Sequence, residues 1–436
     1  RESYVDGRLL DSRAIGGRVV LVLGNPLTLP PPWPVLDASA GKSSYVYETR
    51  DAYVARILAE GGLDSAPGYS SSGIGQPDRR GTLLATDNLH WPDDQQDRHM
   101  ISVVSFVVDD DEIGPAATTT VLGIDGEVYA SAESLYVAGT GRSSPAWHSF
   151  AETTVIYKFD LTDEEIPLAA KGSVPGSPLN QFSMDEENGY FRIATTEGFN
   201  TTYRNHLFVM EQAGHQLRVV GSLTDLAITE RIYSARFLGD KCFLVTFRKL
   251  DPLFTIDLSD PARPEVIGEL KIPGYSSYLQ MLDSDHLVGL GRDVNPDSPW
   301  LYQDLQMSLF DVSDFANPVR TDQYQFNETR ADASEAEREH HAFSWFPEYD
   351  ILALPVSNGQ SGQWYSAAPA TLHVFKVDLE NGFTFLGEIQ HESAVRRSLR
   401  IGEYLYSISA DTVKVHAIDD PSVEAASVRF AAEGTE

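Results

Sequence analysis

A strand–turn–strand pattern recurs seven times along this chain of 436 residues, and few folds can be built from such a repeat. Residues 12–22, 235–245 and 398–408 align closely, each placing a turn (Gly16-Gly17, Gly239-Asp240, Gly402-Glu403) between two apolar runs. Looser copies occupy residues 131–137, 184–193, 282–288 and 346–353. A tight turn between paired strands needs positive φ, so Gly, Asn and Asp gather there. A second pattern alternates with the first from about Ala130 onward. Its clearest copies are Phe254-Thr255-Ile256-Asp257-Leu258-Ser259-Asp260-Pro261 and Leu309-Phe310-Asp311-Val312-Ser313-Asp314, with weaker ones at residues 157–163 and 415–421. The Asp pairs look like calcium ligands. Turn capping explains them better, because Asp and Ser bond nearby backbone N–H groups and Pro presets φ.

Two hairpins per repeat make a four-stranded antiparallel sheet of about 40–50 residues. The expected fold is therefore all-β, a seven-bladed β-propeller of four-stranded blades. Residues 413–418 and 427–430 are expected to pair with strands around residues 5–24, closing the ring across the termini and removing an open sheet edge. Residues 1–436 then form one domain, with residues 26–98 as an insertion between the first and second blades. That insertion carries Pro30-Pro31-Pro32-Trp33-Pro34, a helical stretch over residues 46–60 and a Gly/Ser/Pro loop over residues 61–81. Smaller loop expansions fall at residues 293–304 and 327–339.

Hydrophobic residues at 42% and aromatics at 10% supply a large core, and no run of 18 apolar residues spans a membrane. The net charge of -31 repels nucleic-acid phosphates and anionic lipid, leaving cations, cationic partners and neutral glycans as easier guests. The single cysteine, Cys242, lies in an apolar run and reads as a buried inert thiol. A start at Arg1 instead of Met reads as a mature or excised fragment.

Several stretches resemble a known family. They are residues 252–261 through Gly291-Arg292-Asp293, Leu179-Asn180-Gln181-Phe182, Glu230-Arg231-Ile232-Tyr233, residues 308–314 and Val395-Arg396-Arg397-Ser398-Leu399. Together they are similar to the secreted bacterial and archaeal β-propeller family distantly related to WD40 repeats. The resemblance implies the fold and a secreted or cell-surface location, and it implies no established activity. Residues 66–80 depart from the family pattern.

In such a fold the starts of the innermost strands face the channel mouth. The polar residues expected there are Arg13, Asn180, Gln181, Arg231, Tyr233, Tyr275, His340, His341, Arg396 and Arg397. Arg side chains offer a planar fork for a carboxylate or sulfate. The structural alternative is ion pairing with Glu230, Glu337 or Glu339. His340 and His341 are metal candidates, with His148, His206 or His391 as partners, but neighbours on a strand point to opposite faces. Asp109 and Asp111 in the run Asp109-Asp110-Asp111-Glu112 are candidate calcium ligands, or members of a solvated turn. No P-loop, dinucleotide fingerprint or nucleophile elbow is present.

Two functions fit these features. One is an extracellular module that binds a protein or glycan at the channel mouth, without nucleic acid or membrane insertion. It carries exposed aromatics near Trp33, Trp91, Trp147, Trp300 or Trp364. The other is a polysaccharide lyase with His341 or Tyr233 as base and Arg231 and Arg397 neutralising a uronate. A channel-bound metal is a third option; no cofactor is assigned, and calcium is the one candidate.

Overall fold

The computed structural model describes residues 1–26, 30–37, 44–59, 66–84, 86–91, 99–108, 113–142, 152–247, 251–294, 304–326, 333–357 and 370–430. They are dominated by antiparallel strands, and each of the seven predicted copies of the first pattern forms a strand pair. The turns carry the expected backbone. Gly16 and Gly17 have φ of 57° and 77°, and Asn188 and Gly189 have 52° and 81°, the positive values that two-residue hairpin turns demand.

The chain divides into two compact units. The first comprises Arg1–Gln181, Asn188–Phe191 and Met210–Val219. Its first sheet runs Arg8–Ile15, Arg18–Pro26, His99–Val107, Ala117–Leu122, with Leu89–His90 parallel to the last strand. Residues 27–98 therefore interrupt one sheet between its second and third strands and do not separate two sheets. The physical reason is that Arg18–Pro26 and His99–Val107 are both apolar central strands, each completing the other's ladder. Within the insertion, Gly68–Gly73 pairs with Glu2–Val5 on one side and Gln76–Thr82 on the other, where a loop was expected. The helix is shorter than expected, Arg50–Ala59, and follows a hairpin of Pro34–Asp37 and Ser44–Tyr47. The second sheet runs Gly126–Ala130, Ser134–Arg142, Glu152–Asp160, Leu168–Pro175. Val20, Val22, Ile101 and Val103 of the first sheet bury themselves against Leu135, Val137, Tyr157 and Phe159 of the second. A fully buried side chain of this kind contributes roughly 1.5–3 kcal/mol.

Four more strands, Met184–Glu187, Tyr190–Glu197, Arg204–Ala213 and Gln216–Leu226, continue the second sheet through one parallel pairing of Gln216 with Lys171.

The second unit comprises Phe182–Glu187, Arg192–Val209 and Val220–Glu436. It carries four-stranded sheets at residues 231–272, 275–325, 344–390 and 395–429, each in simple sequence order. Consecutive sheets pack face to face. Phe243 and Val245 meet Leu279 and Leu287, then Leu290 and Met307 meet Leu352 and Phe375, then Ile351 and Leu372 meet Val395 and Leu405. Thr412–Ala417 and Glu424–Arg429 complete the last sheet with their own repeat's strands. The pairing across the termini expected from sequence is absent among the described residues, because the last repeat leaves no strand position vacant.

One polar device recurs at the outer hairpins. Asp160, Asp257, Asp311 and Asp420 each accept a hydrogen bond from the backbone N–H two residues on, at 2.9–3.1 Å. Near each of these Asp residues one N–H, that of the next residue in the first three copies and that of Ile418 in the last, donates back to the inner hairpin turn. These bonds are Leu161 to Glu133, Leu258 to Asp240, Val312 to Asp285 and Ile418 to Glu403, at 2.8–3.0 Å. Hydrogen bonds from Ser313 hold the Asp311 carboxyl below its ordinary pKa, and Ser422 does the same for Asp420. The repeated Asp residues are thus occupied as turn acceptors. Replacing Asp311 with Ala is expected to lower stability by about 1 kcal/mol, measured as a shift in the denaturant midpoint.

Histidines sit within the packed sheets. His373 lies between Phe326 and Phe385, with Nε2 3.4 Å from Glu388. Burial pushes its pKa down from 6.5 to about 4, against the upward pull of Glu388. The unfolded chain takes up this proton near pH 6.5 and the folded chain resists it. Stability is therefore full above that pH and falls as the pH drops toward 4, by about 3 kcal/mol for this group. Burial also lowers the pKa values of His391 and His416 and adds to the slope. The His373→Leu variant should show a flatter pH dependence of unfolding between pH 4 and 6.5.

Candidate functional site

The starts of the first strands in the second unit are displaced from regular pairing. The register shifts across Ile232/Ser234, Ser276/Tyr278 and Val395/Arg397, leaving Tyr233, Ser277 and Arg396 as the extra residues. A bulge re-aims its side chain and bends the strand. Tyr233 uses that freedom to join an aromatic trio. Its ring centroid lies 4.7 Å from Tyr275 and 5.5 Å from Phe247, and Phe247 lies 4.9 Å from Tyr275. Arg231, exposed at the strand start, places its guanidinium 4.8 Å from the Tyr233 ring centroid. The structure thus brings Arg231, Tyr233 and Tyr275 together with Phe247.

The neighbouring cations are differently placed. Arg292, whose backbone is paired with Tyr275, grips Glu337 with two bonds, Nε to Oε1 at 2.9 Å and Nη2 to Oε2 at 2.7 Å. Both side chains are largely buried, at 15% and 12% exposure, so this is a structural pair. Glu337 also bonds the Ser334 N–H while the Ser334 hydroxyl accepts from the turn, a reciprocal cap for Glu335–Glu337. Arg396 bonds Glu335 at 2.8 Å. The anticipated acidic partners are therefore redistributed. Glu337 serves Arg292, Glu230 accepts from the Thr246 hydroxyl at 2.6 Å, and Arg396 takes Glu335. Among the described residues, no carboxylate forms an ion pair with Arg231 or Arg397, and both are exposed.

His340 and His341 are not on a strand. They belong to the single turn His340–Ala342, capped by Glu339, whose carboxylate accepts from the His341 N–H at 3.2 Å. The turn places the two rings side by side, with centroids 3.8 Å apart, instead of on opposite faces. Glu339 Oε1 lies 2.7 Å from His341 Nδ1 and 3.7 Å from His340 Nδ1. Burial pushes the Glu339 carboxyl up, but bonds from His341 outweigh it and hold the pKa below its usual range. His340 stands edge-on to Phe182, 5.1 Å away, and the Arg236 guanidinium lies 4.3 Å from the centroid of the same Phe182 ring. Arg236 is itself fixed by the Leu279 carbonyl, the Tyr278 hydroxyl and Gln280. The turn lies against the strand Val395–Ile401.

The remaining expected residues lie elsewhere. Arg13 belongs to the first unit and is tied to Asp11 on its own strand at 3.1 Å. Asn180 and Gln181 also belong to the first unit, where Gln181 opens a single helical turn. His206 accepts the Asp225 N–H at 3.3 Å, and His391 bonds the Ser407 hydroxyl at 2.7 Å, so both are engaged within their own surroundings. Asp109, Asp111, His148, Trp147, Trp300 and Trp364 lie outside the described residues. Trp33 and Trp91 are exposed, and Trp33 is covered on one face by Arg56 at 4.3 Å. Cys242 is fully buried and burial pushes its thiol pKa up, as an inert core cysteine requires.

Sequence reading missed Arg292, Phe247 and Arg236. The Ser334-Glu335-Ala336-Glu337 spacing was a readable cap signal that would have assigned Glu337 a structural role. Removing the carboxylate of Glu337 leaves a buried guanidinium unpaired. Glu337→Ala should therefore cost about 3 kcal/mol of unfolding free energy, measured by denaturant titration.

A family model described as the β-propeller domain matches residues 1–421. Over 277 residues the chain is 39% identical to an uncharacterised protein of Methanocaldococcus jannaschii, covering 63% of this chain and 39% of that protein. Over 265 residues it is 36% identical to an uncharacterised protein of Archaeoglobus fulgidus, covering 61% of this chain and 37% of that one. The matched regions thus span less than half the length of these relatives. Among solved structures, Sqt1 of Saccharomyces cerevisiae is similar with a TM-score of 0.47 and 9% identity, covering 83% of this chain and 82% of that one. With the family match spanning nearly all its residues, this chain belongs to the β-propeller domain family.

Proposed function

We propose that the chain is a seven-bladed binding module, working outside the cell, that takes a protein segment at the mouth formed by its first strands. Family membership and the repeated four-stranded sheets support the blade count and the general binding role. The observation that carries the binding reading is Arg231. Its guanidinium lies on the aromatic trio of Tyr233, Phe247 and Tyr275, and it forms no ion pair among the described residues. In a chain with a net charge of -31, this exposed cation, without an ion pair among the described residues, attracts an anionic group. Held on an aromatic surface, it offers a planar fork to a carboxylate and a ring face to an apolar side chain. Tyr and Arg are the residue types that dominate binding hot spots.

The segment recognised is accordingly one that joins an acidic residue to an apolar or aromatic neighbour. Selection from a displayed random-peptide library tests this. Wild-type protein should enrich such peptides, and Arg231→Glu and Tyr233→Ala should each weaken the selected peptides at least tenfold. Equal binding by both variants, or enrichment of basic peptides, would contradict the reading.

A further inference from the structure

We infer that Glu339, His340 and His341 form a binding site for a divalent transition-metal ion such as Zn²⁺. The inference rests on the geometry of this turn and is independent of the peptide-binding reading. Three consecutive residues converge because the Glu339 cap bends the chain into the turn His340–Ala342. One donor atom from each lies within 4.8 Å of the other two. A metal bound at about 2.0–2.2 Å holds adjacent donors about 3.0–3.4 Å apart. The observed separations from Glu339 Oε1, 2.7 Å to His341 Nδ1 and 3.7 Å to His340 Nδ1, bracket that range, so small side-chain rotations would complete it.

The donor chemistry selects the ion. Two imidazoles and one carboxylate suit Zn²⁺, Co²⁺ or Ni²⁺ and give a poor site for Ca²⁺, which prefers six or more oxygens. Phe182, edge-on to His340, restricts that ring. His341 and Glu339 remain accessible, at 49% and 44% side-chain exposure, so an ion can enter and keep an open coordination position. That position would accept water or a donor atom from a bound partner. Metal would take the Nδ1 lone pair of His341, with the ring proton on Nε2, replacing the present contact to Glu339.

Titration of untagged, chelator-treated whole protein with Co²⁺, followed by visible absorption, tests the site. One equivalent should bind, produce ligand-field bands and resist millimolar Mg²⁺ and Ca²⁺. His341→Ala and His340→Ala should each weaken binding at least a hundredfold, and Glu339→Gln at least tenfold, with unchanged circular dichroism. His341→Gln serves as a second variant should the Ala form be unstable. Absence of a one-equivalent phase, or unchanged affinity in the folded His341 variants, would overturn the assignment. Binding abolished by Ca²⁺ would likewise overturn it and place the cation on surface carboxylates.

Discussion

The four-stranded sheets carry apolar side chains that neighbouring sheets cover. The rest of the structure depends on that cover. Leu290 and Met307 on one sheet and Leu352 and Phe375 on the next share a single buried layer, and the same arrangement recurs on either side of it. No sheet could stand alone with both faces wet, since the burial of each large side chain supplies roughly 1.5–3 kcal/mol against the entropy of ordering the chain. Repetition follows from the physics: one solution to the covering problem is used again and again.

Polar bonds then set the register of the repeats. Asp257 and Asp311 each cap a turn, and the following Leu258 and Val312 reach back to the inner hairpin. That linkage ties the two hairpins of a repeat together at one end. At the other end the first strands begin with bulges, and Tyr233 and Arg396 are the residues freed by them. The outer hairpins are therefore locked while the strand starts are available to display side chains. Function is expected where the ladder is interrupted, because an interrupted ladder leaves side chains uncommitted to packing.

Much of this was legible in the sequence. The Gly16-Gly17 and Asn188-Gly189 turns announce their hairpins because few other residues tolerate that backbone. The Asp turns were readable for the same reason, and Arg231, Tyr233 and Tyr275 stood out as polar residues opening apolar strands. The failures are equally physical. Arg292 and Glu337 are 45 positions apart and meet only through tertiary packing. His340 and His341 read as strand neighbours until the Glu339 cap is seen to make a helical turn. The insertion at residues 27–98 hid the pairing of Arg18–Pro26 with His99–Val107, since local pattern carries no signal across so long a gap. Arg13 looked like a site residue because its partner Asp11 is on the same strand and carries no motif.

On the proposed function, binding occurs at the strand starts of the second unit and leaves the capped outer turns unaffected. Hydrogen–deuterium exchange read by mass spectrometry, with and without a saturating selected peptide, tests it most directly. Slowed exchange is expected in peptides containing Arg231–Tyr233 and Tyr275–Ser277, with no change at residues 257–263 and 311–317. Protection confined to those outer turns, or to the exposed hairpin and helix at residues 44–59, would contradict it.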